Sequence, residues 1–219
     1  MTEKQWWDGR TPEVRTALHD AAHRLRAEFD GIFNIETVER YVRSSYDQLA
    51  ATSKVPTWLP LLTERFVRDR LGALGRIEGS LQDGRPVVLF LCTHNAGRSQ
   101  MALGFFRALA GDRAVAWSGG SEPGGELNPA AVRVMAEVGI DITGEFPKPW
   151  TDEVVRAADV VVTMGCGAAC PVFPGKRYED WTLADPDGLD TDAVRLVRDE
   201  IEDRVRDLLT RLAVTVTVT

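Results

Sequence analysis

The run Pro86-Val87-Val88-Leu89-Phe90-Leu91 constrains this chain more than any other stretch. It is short, continuously apolar and preceded by the turn-rich Gln82-Asp83-Gly84-Arg85. A segment of that kind reads as a strand buried on both faces, the signature of a parallel sheet covered by helices. The pattern repeats after it. Ser99 to Leu109 has helical spacing, Ala114 to Trp117 reads as a strand, and Pro129 to Val138 as a helix. Asp152 to Ala158 is a short helix, Val160 to Met164 a second continuous apolar strand, and Thr191 to Leu212 a long charged amphipathic helix. Strands alternating with helices predict an α/β fold, a parallel open sheet flanked by helices. The final AVTVTVT alternates cleanly and fits either an added strand or a frayed tail.

The rhythm before residue 81 is different. Thr11-Pro12-Glu13 has the form of an N-cap, a first-turn proline and a first-turn acid. Val14, Leu18, Ala22, Leu25 and Phe29 then lie on one helical face, which Gly31 ends. Asn34 can cap a second helix that buries Ile35, Val38, Val42 and Leu49. Lys54-Val55-Pro56-Thr57 breaks the pattern, and Trp58, Leu62, Phe66 and Leu74 suggest a third helix ending near Gly75 or Gly79. The expected division is a small all-α three-helix bundle over 1–80, a linker over 81–86 and the α/β part over 87–219.

Charge excludes one class of partner. Residues 1–86 hold 13 basic and 13 acidic residues, so the whole formal charge of -7 belongs to the remainder. Neither part has the basic excess that a phosphate-backbone binder needs, so no nucleic acid is expected. No apolar run approaches the roughly 20 residues of a membrane span. The N-terminus carries no apolar leader, so the expected location is cytoplasmic. The three cysteines, Cys92, Cys166 and Cys170, are too few and odd in number for a disulfide framework. Inert burial, a metal site and redox chemistry stay open for them.

The segment after the first strand carries the chemistry. Ligands of open α/β sheets bind beyond the carboxyl ends of strands. Thr93-His94-Asn95-Ala96-Gly97 lies there, small or polar throughout, and Arg98-Ser99 begins a helix. Such a loop lets several backbone N–H groups converge, and the helix dipole adds positive potential. Gly97 permits a positive φ, and Arg98 can present a planar fork of donors to a tetrahedral oxyanion. The same surroundings favour a thiolate at Cys92, with Ser99 able to donate to the sulfur and Asn95 to brace the loop. His94 fits a hydrogen-bonding loop residue better than a base. Transfer through a cysteine also wants an acid for the leaving oxygen, and Asp185, stiffened by Pro186, can supply it.

These residues resemble the low-molecular-weight protein tyrosine phosphatase fold, and more closely its arsenate reductase branch. Cys92-Thr93-His94-Asn95-Ala96-Gly97-Arg98-Ser99-Gln100-Met101-Ala102 is similar to that branch's anion loop, and Asp185-Pro186 to its later acid. Ser118-Gly119-Gly120-Ser121-Glu122-Pro123, Asn128-Pro129 and Val138-Gly139-Ile140-Asp141-Ile142 resemble its middle segments. Met164-Gly165-Cys166-Gly167-Ala168-Ala169-Cys170-Pro171 resembles its redox segment. The likeness covers about residues 86–212. The first 80 residues resemble the three-helix dimerisation domain that precedes the fold in some actinobacterial members.

The resemblance implies a relay. Arsenate sits in the loop on Arg98 and backbone amides, Cys92 attacks arsenic, and Asp185 assists the departing water. Cys166 then attacks Cys92 and arsenite leaves; Cys170 takes over the disulfide, leaving Cys166–Cys170 for an external thiol. That segment must move, and its glycines and alanines permit it. No bound cofactor is implied, only a reductant: thioredoxin, or mycothiol with mycoredoxin. Cys-x3-Cys with only His19, His23 and His94 elsewhere makes a poor zinc set, so no metal is expected. Leu103 stands where many members carry a glutamate that helps bind potassium, so no potassium site is expected either. A closer cysteine pair than many thioredoxin-linked members have would make a tighter bridge; if it cannot form, a small thiol would resolve Cys92. The rival reading is a phosphatase acting on phosphotyrosine or aryl phosphates through Cys92, Arg98 and Asp185. That branch carries a second loop cysteine where Gly97 stands and has no use for Cys166 and Cys170. The helical part implies a homodimer through residues 1–80, with Trp6, Trp7 and Trp58 as contacts or as bundle core.

Overall fold

The computed structural model describes residues 9–52, 56–167, 170 and 172–215. The chain divides into two compact units, residues 1–81 and 82–219. No described helix is long and apolar enough to cross a membrane.

The first unit holds helices α1 (Pro12–Glu28), α2 (Ile35–Ala50) and α3 (Leu59–Ile77). The caps lie where the sequence places them: the Thr11 hydroxyl accepts from the Val14 amide at 3.5 Å and Asn34 Oδ1 from the Thr37 amide at 2.9 Å. Leu18, Ala22 and Leu25 of α1, Val38 and Val42 of α2, and Phe66, Val67 and Leu71 of α3 form the buried centre. The face of α3 differs from the expected one. Leu59, Thr63, Phe66, Val67 and Arg70 are buried, whereas Trp58 stands outside the helix at 58% exposure. Arg70 and Glu64 explain why hydropathy misplaced that face. Arg70 is buried because its guanidinium donates to the Ser44 and Ser45 hydroxyls at 2.8 Å and lies over the Tyr41 ring. Glu64 accepts two hydrogen bonds from Arg24 at 3.1 and 2.7 Å, tying α3 to α1. Trp6 and Trp7 lie outside the described residues.

The second unit contains strands β1 (Val87–Cys92), β2 (Val115–Gly120), β3 (Val160–Met164) and β4 (Arg177–Asp180). Its helices are α4 (Arg98–Ala110), α5 (Pro129–Glu137), α6 (Asp152–Ala157) and α7 (Thr191–Arg211). The sheet order is β2-β1-β3-β4 and every pair is parallel. Val88, Phe90 and Cys92 face one core with Met101, Phe105 and Phe106 of α4, Val134 of α5 and Ile201 and Val205 of α7. Alternation turns Val87, Leu89 and Leu91 to the other face, where they are buried too. β4 was not expected. Its Arg-Tyr-Glu-Asp sequence has no apolar run, because an edge strand has one neighbour and an exposed rim; Arg211 of α7 instead grips Glu179 with two bonds, 2.6 and 2.9 Å.

The end of α7 settles part of the alternating tail. The Val214 amide donates to the Leu209 carbonyl and the Ala213 amide to that of Thr210, both at 3.0 Å, with Ala213 at φ 56°. This paired closure ends a helix and buries Val214 in the core. Residues 216–219 lie outside the described residues.

Candidate active site

Strand order puts the site in one place. The chain leaves β1 for β2 on one side and returns for β3 on the other, so the connections diverge between the carboxyl ends of β1 and β3. A crevice forms at such a reversal. Cys92 ends β1 and pairs in register with Met164 of β3, two residues before Cys166. Two cysteines 74 residues apart in sequence therefore sit on adjacent strand ends.

The loop between Cys92 and α4 is an amide cradle, and its carbonyls show how it is built. The carbonyls of Thr93, His94 and Ala96 accept from the amides of Glu122, Gly124 and Asn128, each at 2.9 Å. That of Asn95 accepts from Gln100 Nε2 at 3.0 Å. A planar trans peptide directs its N–H opposite its C=O. With these carbonyls turned outward, the amides of His94, Asn95, Ala96 and Gly97 turn inward, toward the start of α4. The Gly97 carbonyl accepts from Gln100 and Met101, so α4 begins there and its first amides face the same centre. Gly120 is what lets the neighbouring strand approach, since a Cβ there would stand 2.7 Å from the Thr93 carbonyl oxygen.

Asn95 holds the loop from inside. It is fully buried, and its φ of 48° is one that asparagine tolerates. The Lys148 amide, which can only donate, reaches Asn95 Oδ1 at 3.0 Å, and Gln100 Nε2 reaches it at 3.1 Å. The Asn95 amide nitrogen must then face Ser99, to whose hydroxyl it donates at 2.8 Å. That leaves the Ser99 proton for Cys92 Sγ, 3.0 Å away. A thiolate at Cys92, 2% exposed, thus has an oriented hydroxyl donor.

Arg98 lies beside the cradle, buried, and its guanidinium donates to the Asp185 carboxylate, which is half exposed. A carboxylate stands there in for one oxygen pair of a tetrahedral oxyanion. Two close approaches position these groups. A Cβ on Gly165 would lie 2.7 Å from Arg98 Nη1, and a Cβ on Gly97 would lie 2.7 Å from Pro186 Cγ. Gly97 has φ −126°, so close packing against Pro186, not a positive φ, explains its glycine. The cleft has a volume of about 260 Å³ and is bordered by Cys92, His94, Arg98, Glu126, Leu127, Asp185 and Asp187 among others, with no Phe, Tyr or Trp among the described residues that line it. His94 Nδ1 lies 3.0 Å from the Glu122 carbonyl oxygen, so it is the proton-bearing nitrogen.

The redox segment follows β3. Cys166 and Cys170 are joined as a disulfide, with Cα atoms 5.5 Å apart, and Cys92 is a free thiol. That separation is ordinary for a disulfide, so the short spacing does not forbid the bridge. Gly165 and Gly167 both have positive φ, 80° and 52°, and turn the chain back. Thr93 Oγ1 donates to the Gly165 carbonyl at 3.1 Å, linking the segment to the anion loop. Cys166 is buried and Cys170 half-buried. Ala168, Ala169 and Pro171 lie outside the described residues.

Every residue expected at the site from Cys92 to Ser99, with Asp185, borders or builds this one crevice. The expectation had no role for Gln100 or Lys148, and it gave Gly165 only a part in the freedom of the redox segment, not in making room for Arg98. A polar Gln100 among the apolar positions of α4 was a usable signal; Lys148, distant in sequence, offered none.

The comparisons with known proteins agree with this architecture. The family of low molecular weight phosphotyrosine protein phosphatases matches over residues 87–217, and the chain belongs to it. Residues 18–75 match a second family, the N-terminal domain of protein-tyrosine-phosphatase-like proteins. The glutaredoxin arsenate reductase of Synechocystis sp. is 36% identical over 129 residues, covering 58% of this chain and 98% of that protein. Arsenate reductase 1 of Staphylococcus epidermidis is 40% identical over 121 residues, covering 54% of this chain and 91% of that protein. The solved thioredoxin-dependent arsenate reductase of Corynebacterium glutamicum is 42% identical, with a TM-score of 0.80 over 90% of this chain and 97% of that one.

Proposed function

We propose that this protein reduces arsenate to arsenite through Cys92, Cys166 and Cys170. The observation that carries the reading is a free Cys92 in an oxyanion cradle on one strand end, with a Cys166–Cys170 disulfide just past the adjacent one. Similarity to arsenate reductases over the whole α/β unit supports it.

Arsenate displaces Asp185 from Arg98 and is held by that guanidinium and the inward amides of His94 to Gly97. The Cys92 thiolate, hydrogen-bonded by Ser99, attacks arsenic; an As–S bond forms and one oxygen leaves as water, its proton supplied at Asp185. The Cys166 thiolate then attacks Cys92 Sγ. The electron pair of the As–S bond stays on arsenic, which leaves as arsenite, and a Cys92–Cys166 disulfide remains. Cys170 attacks Cys166, releasing Cys92 as thiolate and giving the Cys166–Cys170 bridge. An external dithiol closes the cycle, entering at Cys170, the less buried sulfur. Likeness to a thioredoxin-dependent enzyme favours a thioredoxin over mycothiol with mycoredoxin. A relay that must be reduced each turn suits a cytoplasmic location. The helical unit is assigned to homodimerisation, separate from the catalytic unit.

The test is single-turnover arsenite release from fully reduced protein without added reductant, followed by disulfide mapping. One arsenite per chain with a Cys166–Cys170 bridge is expected. Arsenite only after a small thiol is added would keep the reaction and remove the relay. No arsenite, with steady hydrolysis of an aryl phosphate, would make the protein a phosphatase.

A further inference from the structure

The sequence His19-Asp20-Ala21-Ala22-His23 in α1 has no part in the chemistry above. Its two histidines are four apart, on one helical face, and both are exposed while Leu18, Ala21 and Ala22 between and beside them are buried. Their rings meet edge to face, with centroids 4.5 Å apart. The Nε2 atoms are directed at each other, 3.0 Å apart. In the metal-free pair one Nε2–H donates to the other Nε2, which already brings the two nitrogens to one point.

That distance has a chemical meaning. A metal ion binds imidazole nitrogen at about 2.0–2.1 Å. Two such bonds at a right angle hold their nitrogens about 2.9 Å apart, and at a tetrahedral angle about 3.4 Å. The shared proton holds the nitrogens within a few tenths of an ångström of either bite, and closest to the right angle of the square-planar and octahedral sites that Cu2+ and Ni2+ prefer. The helix supplies the preorganisation, since once one ring binds, the other is held at a high effective concentration. Without metal the same pair shares one Nε2 proton. On binding, each ring carries its proton on Nδ1 and offers Nε2, so a neutral pair loses no proton overall. No group of three or more protein ligands occurs among the described residues, so water completes the shell. Asp20, one residue from His19, adds a negative charge on the same helix, while Glu64 is engaged by Arg24.

We propose that His19 and His23 form a surface chelate for a late first-row divalent cation, separate from the thiol chemistry. The test is isothermal titration of untagged full chain with Ni2+, repeated with His19→Ala, His23→Ala and His94→Ala. One Ni2+ per chain is expected, weakened at least tenfold in each of the first two variants and unchanged in the third. Cu2+ should bind more tightly than Ni2+, with an electron-spin signature of two imidazole nitrogens. Both substitutions are at exposed positions, and a circular dichroism melt without metal checks that they fold. Binding that persists in His19→Ala and His23→Ala would place the ion on the cysteines or His94. No binding at millimolar Ni2+ would leave the pair as a hydrogen bond alone. Either result overturns the proposal.

Discussion

Ser99 has one proton to donate, and Asn95 decides where it goes. Because the Lys148 amide fixes the Asn95 side chain, Asn95 donates to Ser99 and Ser99 to Cys92. A hydrogen bond to a charged acceptor contributes about 1.5–3 kcal/mol. Ser99→Ala is therefore expected to slow alkylation of Cys92 by iodoacetamide at neutral pH by about tenfold or more; the urea midpoint should fall as well, because the buried Asn95 amide loses its acceptor. An unchanged alkylation rate would mean that the hydroxyl does not support the thiolate. Gln100 works on the same residue from the other side: it donates to Asn95 Oδ1, to the Asn95 carbonyl and to the Phe146 carbonyl at 3.0 to 3.1 Å.

At the scale of the element, strand ends position the site more than side-chain choice does. Gly165 terminates β3 with φ 80°, and its missing Cβ is space for the Arg98 guanidinium. Gly165→Ala should cost about 1–2 kcal/mol of stability for the left-handed backbone. It should also push Arg98 aside, weakening inhibition by phosphate about tenfold or more, as read by competition against arsenate. Equal phosphate affinity in both proteins would place Arg98 outside the oxyanion contact. The helices of the first unit carry a pH signature. Burial would raise the Glu64 carboxyl, but its hydrogen bond and charge pairing with Arg24, together with the charge of Arg68, outweigh that and hold it below its ordinary 4.5. A lowered folded value means the stabilisation is full above 4.5 and disappears as pH falls through the folded value. Glu64→Gln should thus unfold at lower urea than the parent at pH 7, and the difference should shrink as pH falls below 4.5 and through the lowered folded value.

For the whole molecule, the two units have separate tasks in the proposed function. The first unit leaves Trp58 and Leu61 at 58% and 51% exposure near the start of α3, large apolar surface on a small bundle. Light scattering of the full chain is expected to find a dimer, and the double substitution Trp58→Asp with Leu61→Asp to shift it toward monomer without changing single-turnover arsenite yield. A monomeric parent at all concentrations would remove the dimer from the reading.

What the sequence by itself determined is local. Caps at Thr11 and Asn34, the buried strands around Val88 and Val161, and the small-residue loop before Arg98 are set by residues a few positions apart, where propensity and period act. The polar edge strand β4 escaped because hydropathy carries no mark of a strand with one neighbour. The face of α3 escaped because buried Arg70 and Glu64 are made tolerable by partners on other helices. Only the tertiary structure decided that Lys148 orients Asn95, that Gly165 makes room for Arg98, and that Cys92 ends the strand beside the one that leads to Cys166. Those outcomes depend on contacts between residues dozens of positions apart, which exist only once the sheet has chosen its order.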